Sequence, residues 1–173
     1  MKRPLAIAFA AALLEAGPLA GASATASLSV SVTVSSNCRI SASSVAFGTY
    51  DPVVANLAVP VTGTGGITIT CTQGTSASLT LGSGANASGS TRRMRGGTGF
   101  ISYELYMPAS ESPGAPCSFA SPKAWGAAGD GVFTPSSAPS RDPRSYNVCG
   151  RIPEAQDVLA ATYFDAVVAT ANF

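Results

Sequence analysis

The chain has 173 residues, of which 46% are hydrophobic and only 11% charged, and it contains no histidine. Ten basic residues stand against nine acidic ones, and setting aside Lys2, Arg3 and Glu15 of the N-terminal segment leaves eight of each. That neutral balance argues against a nucleic-acid partner, whose affinity rests on clustered positive charge, and the missing histidine removes the commonest general base and metal ligand.

The first residues read as an export signal. Lys2 and Arg3 give a basic start, Leu5 to Leu14 an apolar run, and Ala22-Ser23-Ala24 or Ala24-Thr25-Ala26 a small-residue cleavage site. The apolar run is about ten residues, short of the ~20 that span a bilayer. Glu15 ends it early, which leaves a retained amphipathic anchor as the alternative. Residues 1–24 are assigned as a signal peptide, with cleavage after Ala26 as the variant. The remaining ~150 residues suit one domain with its own core.

Next comes a strict polar/apolar alternation, Ser27-Leu28-Ser29-Val30-Ser31-Val32-Thr33-Val34. Period two places Leu28, Val30, Val32 and Val34 on one face of an extended strand. Alternation alone favours the first strand of an ordinary closed sandwich. Ser35-Ser36-Asn37 then lead to Cys38.

Short alternating runs follow. Val45 and Phe47 precede Gly48-Thr49-Tyr50-Asp51-Pro52; Leu57, Val59 and Val61 precede Gly63-Thr64-Gly65-Gly66, read as a turn. Ile67 and Ile69 lead to Cys71, Leu79 and Leu81 run into Gly82-Ser83-Gly84, and Ile101, Tyr103, Leu105 and Met107 alternate with polar or amphipathic residues. The last run places Tyr163, Asp165, Val167, Ala169, Ala171 and Phe173 on one face. No segment beyond the signal has a capped helical period, so an all-β antiparallel sandwich is predicted. Gly82–Gly99 and Pro108–Arg144, rich in Gly, Ser, Pro and Ala, are expected to be long loops.

Cys38, Cys71, Cys117 and Cys149 make an even count in an exported chain, which predicts two disulfides among three possible pairings. Zinc is disfavoured by the absence of histidine and of any CxxC, so no metal or cofactor is assigned. Sequential pairing closes two loops of about 33 residues, each stabilising by roughly 3–4 kcal/mol in the chain-entropy model.

No active site is assembled from this composition. Nucleophile–base pairs lack their usual members, and Asp51, Glu104, Asp157 and Asp165 are scattered, so the chain is read as non-enzymatic. Asp165 is expected to bond backbone or Arg151. Arg92, Arg93 and Arg95 form the one basic cluster; it reads as a solvated loop, with adhesion to an anionic surface as the sharper alternative. Asn86-Ala87-Ser88 matches a glycosylation sequon and is given little weight. Gly129-Asp130-Gly131 is too short for a calcium loop.

Taken in order, the motifs resemble the spore coat protein U domain family, which includes subunits of archaic chaperone–usher (Csu-type) pili. The pieces are Cys38; Phe47-Gly48-Thr49-Tyr50; Gly66-Ile67-Thr68-Ile69-Thr70-Cys71; Leu79-Thr80-Leu81-Gly82; Arg93-Met94; Tyr103-Glu104-Leu105-Tyr106; Trp125-Gly126; Gly150-Arg151-Ile152-Pro153 with Gln156; and Tyr163-Phe164-Asp165 running to Phe173. Two cysteines depart from the pattern. Cys149 stands where an aromatic residue usually precedes the Gly-Arg-Ile-Pro turn, and Cys117 lies in an enlarged segment. One bridge between them explains both, and the family's own bridge corresponds to Cys38–Cys71.

The resemblance implies an immunoglobulin-like sandwich over residues 38–173 that lacks its final strand. A periplasmic chaperone fills the gap first, then the N-terminal extension of the next identical or homologous subunit, delivered through an outer-membrane usher. Residues 25–37 become a donor strand and linker, with Leu28, Val30, Val32 and Val34 entering the neighbour. Val167, Ala169, Ala171 and Phe173 then border the acceptor groove and engage the chaperone. This reverses the closed-sandwich reading of Ser27–Val34. It implies transit through the periplasm to a pilus at the cell surface that supports attachment or biofilm formation. A spore or cell-surface coat protein is the first alternative, and a monomeric adhesin or carbohydrate-binding module the second.

Overall fold

The computed structural model describes residues 21–173. The signal-peptide reading therefore lies outside the described residues for positions 1–20. The described residues fall into two units, 21–33 and 34–173. In the first, residues 21–33 carry no helix or strand, and Leu28, Val30 and Val32 are 88%, 88% and 87% exposed.

The second unit is antiparallel β throughout. Its strands are β1 (Cys38–Ala46), β2 (Val61–Cys71), β3 (Ser78–Leu81), β4 (Arg92–Gly96), β5 (Gly99–Tyr106), β6 (Arg144–Ile152) and β7 (Ala169–Asn172). They form a five-stranded sheet in the order β1-β2-β6-β5-β4 and a two-stranded sheet β3-β7. The described helical content is one 3-10 turn, Gly129–Gly131. Alternation builds the core: Ile67, Ile69 and Cys71 from β2, Leu79 and Leu81 from β3, Ile101, Tyr103 and Leu105 from β5, and Tyr146, Val148 and Ile152 from β6 are all buried. Trp125 closes one side. Its indole N–H donates to Leu79 O at 3.0 Å, and its ring lies 4.9 Å from Phe133, which meets Tyr146 edge-on.

The strand map differs from the sequence reading in four places, each for a local reason. Leu57 and Val59 are exposed in a turn rather than in a strand. Asp51 Oδ1 accepts the N–H groups of Val53 and Val54, and the Asn56 side chain accepts from Asp51 N and donates to Val59 O. The glycines at 63–66 lie inside β2 instead of forming a turn. Chain from β1 passes so close that a Cβ at Gly63 would sit 2.6 Å from Ala46 O, and one at Gly65 2.8 Å from Ser43 O. The Gly82–Gly99 segment holds β4, because Arg92 fills an inward position that an apolar pattern does not reveal. Buried Arg92 pairs with Glu104 and donates to the carbonyls of Leu81, Gly82 and Trp125. β6, the central strand, reads in sequence only as a turn motif around Gly150. The register Gly63↔Gly150 puts two glycines side by side where Phe47 and Val45 pack down onto the sheet.

Of the Pro108–Arg144 segment only Arg144, the first residue of β6, lies in a strand; the rest is anchored by buried Ala115, Trp125, Phe133 and Ala138. The disulfides join Cys38 to Cys71 and Cys117 to Cys149. The second bridge fastens residues 114–119 across the outer face of the large sheet. Gly114 N donates to Ser145 O at 2.8 Å, Asn147 Nδ2 to Ala115 O at 2.8 Å, and Phe119 packs edge-on against Tyr106. Two motif pieces about a hundred residues apart also meet: Tyr50 OH donates to Pro153 O and accepts from Gln156 N, while the Gln156 amide brackets both backbone groups of Ser102.

Two variants test this packing. Gly150→Ala sets a Cβ 2.6 Å from Phe47 and Val45, so it is expected to cost about 1–3 kcal/mol, the overpacking range, read as a lower thermal midpoint. Cys117→Ser with Cys149→Ser is expected to lose ~3 kcal/mol and to open residues 108–143 to limited proteolysis. A wild-type cleavage pattern in the double variant would contradict the strap.

Candidate functional site: an uncovered lane between two strand edges

β1 has β2 as its strand partner and β7 has β3, so each presents an edge without a ladder. The two edges border one lane. Ala42–Val45 face Asp165–Ala169 across a cavity of about 330 Å³, and Val45–Val53 face Val158–Tyr163 across a second of about 690 Å³. Val45 lines both cavities, and the pairing shows that β1 and the C-terminal segment run antiparallel. The floor is apolar: Ile67, Leu105 and Val148 under the first section, Met94, Ile101 and Ile152 under the second.

Burial along β1 shows what is missing. Cys38, Ile40 and Ala42 lie opposite Cys71, Ile69 and Ile67, hence on the core side of the sheet. The β2 residues are buried, whereas Ile40 is 38% exposed. The core therefore encloses β2 fully and β1 only in part.

The C-terminal segment forms the other wall. Tyr163, Asp165, Val167, Ala169 and Ala171 are half-buried, alternating with exposed Phe164, Ala166, Val168, Thr170 and Asn172. Its backbone alternates too. Phe164 exchanges bonds with Arg95, Gly82 N donates to Val168 O, and Ala85 N donates to Ala166 O; Leu79 and Leu81 bond away from β7, to Phe133 and Gly126. The even-numbered residues thus spend their backbone groups on β3, β4 and the connection between them. Those of Val167, Ala169 and Ala171 point to the opposite edge, and among the described residues no backbone hydrogen bond outside the ladders uses them. Phe173, the last residue, is exposed.

One polar cluster interrupts this wall. Asp165 accepts from Tyr103 OH at 2.7 Å and from Asn86 N and Nδ2 at 3.0 and 2.9 Å. Gly84, at φ +92°, allows the approach, since a Cβ there would stand 2.0 Å from the carboxylate. Burial, then the hydrogen bond to Asp165, pushes the Tyr103 hydroxyl well above the usual phenol range. The backbone partner expected for Asp165 is thus Asn86; Arg151 pairs with Glu154 instead, at 3.7 Å. At the root of β1, the Cys38–Cys71 bridge is reinforced by Thr72, whose N–H donates to Asn37 O and whose hydroxyl donates to Ser35 O.

The structure brings Val167, Ala169 and Ala171 to the lane's edge and leaves Leu28, Val30, Val32 and Val34 exposed. Sequence reasoning missed Ala42 and Met94 as lane residues and Ile40 as a part-exposed residue of β1; the Val45/Phe47 alternation was the available signal. An apolar floor between two free edges can receive one extended segment through backbone bonds and alternate side chains.

Comparison with known proteins agrees with this architecture. A family model described as Spore Coat Protein U domain matches residues 24–170. The chain is 38% identical over 184 residues to "Protein U" of Myxococcus xanthus, covering 97% of this chain and 95% of that one. A solved structure, the CsuC–CsuE chaperone–tip adhesion subunit pre-assembly complex from archaic chaperone–usher Csu pili of Acinetobacter baumannii, matches with a TM-score of 0.54 and 25% identity over 82% of this chain. The match spans 41% of that solved chain. The fold is accordingly an immunoglobulin-like antiparallel sandwich.

The Tyr103–Asp165 contact carries a pH prediction. The folded chain holds the Tyr103 proton more tightly than the unfolded chain, whose tyrosines titrate near pH ~10. This contribution is complete below pH ~10 and is lost as pH rises beyond it. Tyr103→Phe is expected to cost about 1.5–3 kcal/mol at neutral pH, the range for a bond to a charged group. It should also flatten the alkaline fall in denaturation midpoint relative to wild type.

Proposed function

From the premise that the chain belongs to the Spore Coat Protein U domain family, we propose that it is an exported, non-enzymatic subunit that polymerises by exchanging β-strands with its neighbours. Family and fold place it among chaperone–usher pilus or coat structural subunits. Strand exchange is supported above all by the lane between β1 and the C-terminal segment, where Ile40 is exposed on the core side of its own sheet.

The occupant proposed is the segment Ser27–Val34 of a second copy, entering as the missing strand. Fully burying Leu28, Val30, Val32 and Val34 stabilises by roughly 6–12 kcal/mol, an upper estimate. That is comparable to the net stability of a whole domain. β1 and β7 approach within 8 Å between Cα atoms, whereas strands flanking a third stand about 9.5 Å apart. An incoming strand would therefore wedge the two edges slightly apart. Ser35-Ser36-Asn37 allow about 10 Å between Val34 and Cys38, so donor and body would stay closely coupled.

Polarity depends on which of the antiparallel walls the donor itself runs antiparallel to, and we take that wall to be β7. A donor antiparallel to β7 would leave the lane at its Val53/Val158 end, while the subunit's own extension starts from Cys38 at the other end. Such a heterologous contact does not close on itself, and subunits would add head to tail into an open fibre. The edges also lack the usual protection against pairing: Tyr163–Phe173 contains no Lys, Arg or Pro, and β1 carries a single charge, Arg39. Before assembly a periplasmic chaperone would occupy the lane, with Phe173 as a contact, and an outer-membrane usher would exchange it for the next subunit. The assembled fibre at the cell surface would support attachment or biofilm formation. A coat component is the second reading, favoured by the family description and the Myxococcus relative.

The test is deletion of Ser27–Val34 from the exported chain, with and without a co-expressed chaperone. The expected result is loss of SDS-resistant polymers with chaperone binding retained. A soluble, stable, chaperone-free monomer would remove the strand-exchange reading.

A further inference from the structure

The outward face of the C-terminal segment has a chemistry that strand exchange does not use. Phe164 pairs with Arg95 across a β-bridge, and Arg95 lies directly opposite Phe100 in the β4–β5 ladder. Residues opposite one another share a face, so Phe164, Arg95 and Phe100 form a row across three neighbouring strands. Phe164 is 71% and Phe100 40% exposed. With strands ~4.8 Å apart, the two aromatic side chains start about 10 Å apart, with Arg95 on the strand between them. Arg93 joins the row from two positions along β4, its guanidinium 4.3 Å from the centre of the Phe100 ring.

Both guanidiniums are anchored and still available. Arg93 Nε donates to Asn86 O and Arg95 Nε to Gly97 O. Among the described residues their terminal nitrogens have no carboxylate or hydrogen-bond partner. Arg92 is excluded from the patch, since it points inward and is buried on Glu104. The basic cluster of the sequence is therefore two outward cations set among two exposed aromatic faces, on the side of the segment opposite the lane.

We propose that this row binds an acidic polysaccharide. Pyranose C–H faces stack on Phe164 and Phe100, and carboxylate groups pair in two-pronged fashion with Arg93 and Arg95, whose planar forks suit that geometry. Two cations on a neutral chain fit a polymer of spaced single charges. They fall short of the dense positive field that duplex nucleic acid requires and of the four to eight clustered basic residues, roughly, that hold an anionic membrane.

The experiment is calorimetric titration of the full chain with oligogalacturonate, beside neutral dextran, phosphatidylglycerol vesicles and duplex DNA. Oligogalacturonate is expected to bind and dextran not. Arg93→Gln with Arg95→Gln should weaken binding about tenfold or more, the size of one lost charged hydrogen bond. Phe164→Ser should weaken it several-fold, and Arg95→Lys, which keeps charge without the fork, should fall between. Circular dichroism and polymer formation should be unchanged in all of them, which separates this result from the strand-exchange test. Absence of oligogalacturonate binding, binding indifferent to these substitutions, or equal or tighter binding of vesicles or DNA through the same residues would each overturn the proposal.

Discussion

A β-sandwich closes when every inward apolar position meets a facing sheet and every inner strand finds a ladder on both sides. In this chain the two conditions fail together along a single lane. β2 has β1 and β6 beside it, and its Ile67 and Ile69 are fully buried; β1 has β2 alone as a ladder partner, and its Ile40 is covered only in part. Unpaired backbone and exposed apolar surface are separately tolerable at a protein surface. Side by side, flanked by a second free edge in Val167, Ala169 and Ala171, they define the shape of one absent strand.

An edge strand with so little cover needs other restraints, and the chain supplies them at its ends. The Cys38–Cys71 bridge fixes the first residue of β1 to its partner in register. At the other end, Phe47 and Val45 fold onto Gly150, and Tyr50 reaches Pro153 and Gln156. The opposite wall is held by Asp165 on Tyr103 and Asn86 and by the Phe164–Arg95 bridge. Both walls are thus pinned through polar or covalent contacts, and the one polar cluster lining the lane, Asp165 with Tyr103 and Asn86, already has its partners in place.

How much of this was legible follows from what each residue reports. Val, Ile and Leu at period two report burial on one face, and the core strands β2, β3 and β5 were readable for that reason. Glycine reports nothing by periodicity, so Gly63–Gly66 and Gly150 read as turns, although each is small because another chain segment crosses it. Arginine at an inward position inverts the pattern, and β4 vanished behind Arg92. The long Pro108–Arg144 segment was readable as a loop, up to the start of β6 at Arg144, but its burial rests on single anchors, Trp125 and Phe133, spaced without period. Side-chain partners such as Asp165 with Asn86 depend on a turn at Gly84, which sequence separation hides.

In the proposed reading the C-terminal segment would carry two unrelated interactions, one on each face. Alternation assigns Val167, Ala169 and Ala171 to the lane and Phe164, Ala166 and Val168 to the outside, so substitutions on one face leave the other chemically untouched. In a head-to-tail fibre the outward row would recur once per subunit at a fixed orientation. A weak contact with a long polymeric ligand would then be multiplied by effective concentration rather than by any gain per site. The inward face would have to bind once and tightly, through buried aliphatics and backbone bonds. The outward face could be weak, reversible and salt-sensitive, because repetition supplies what each site lacks.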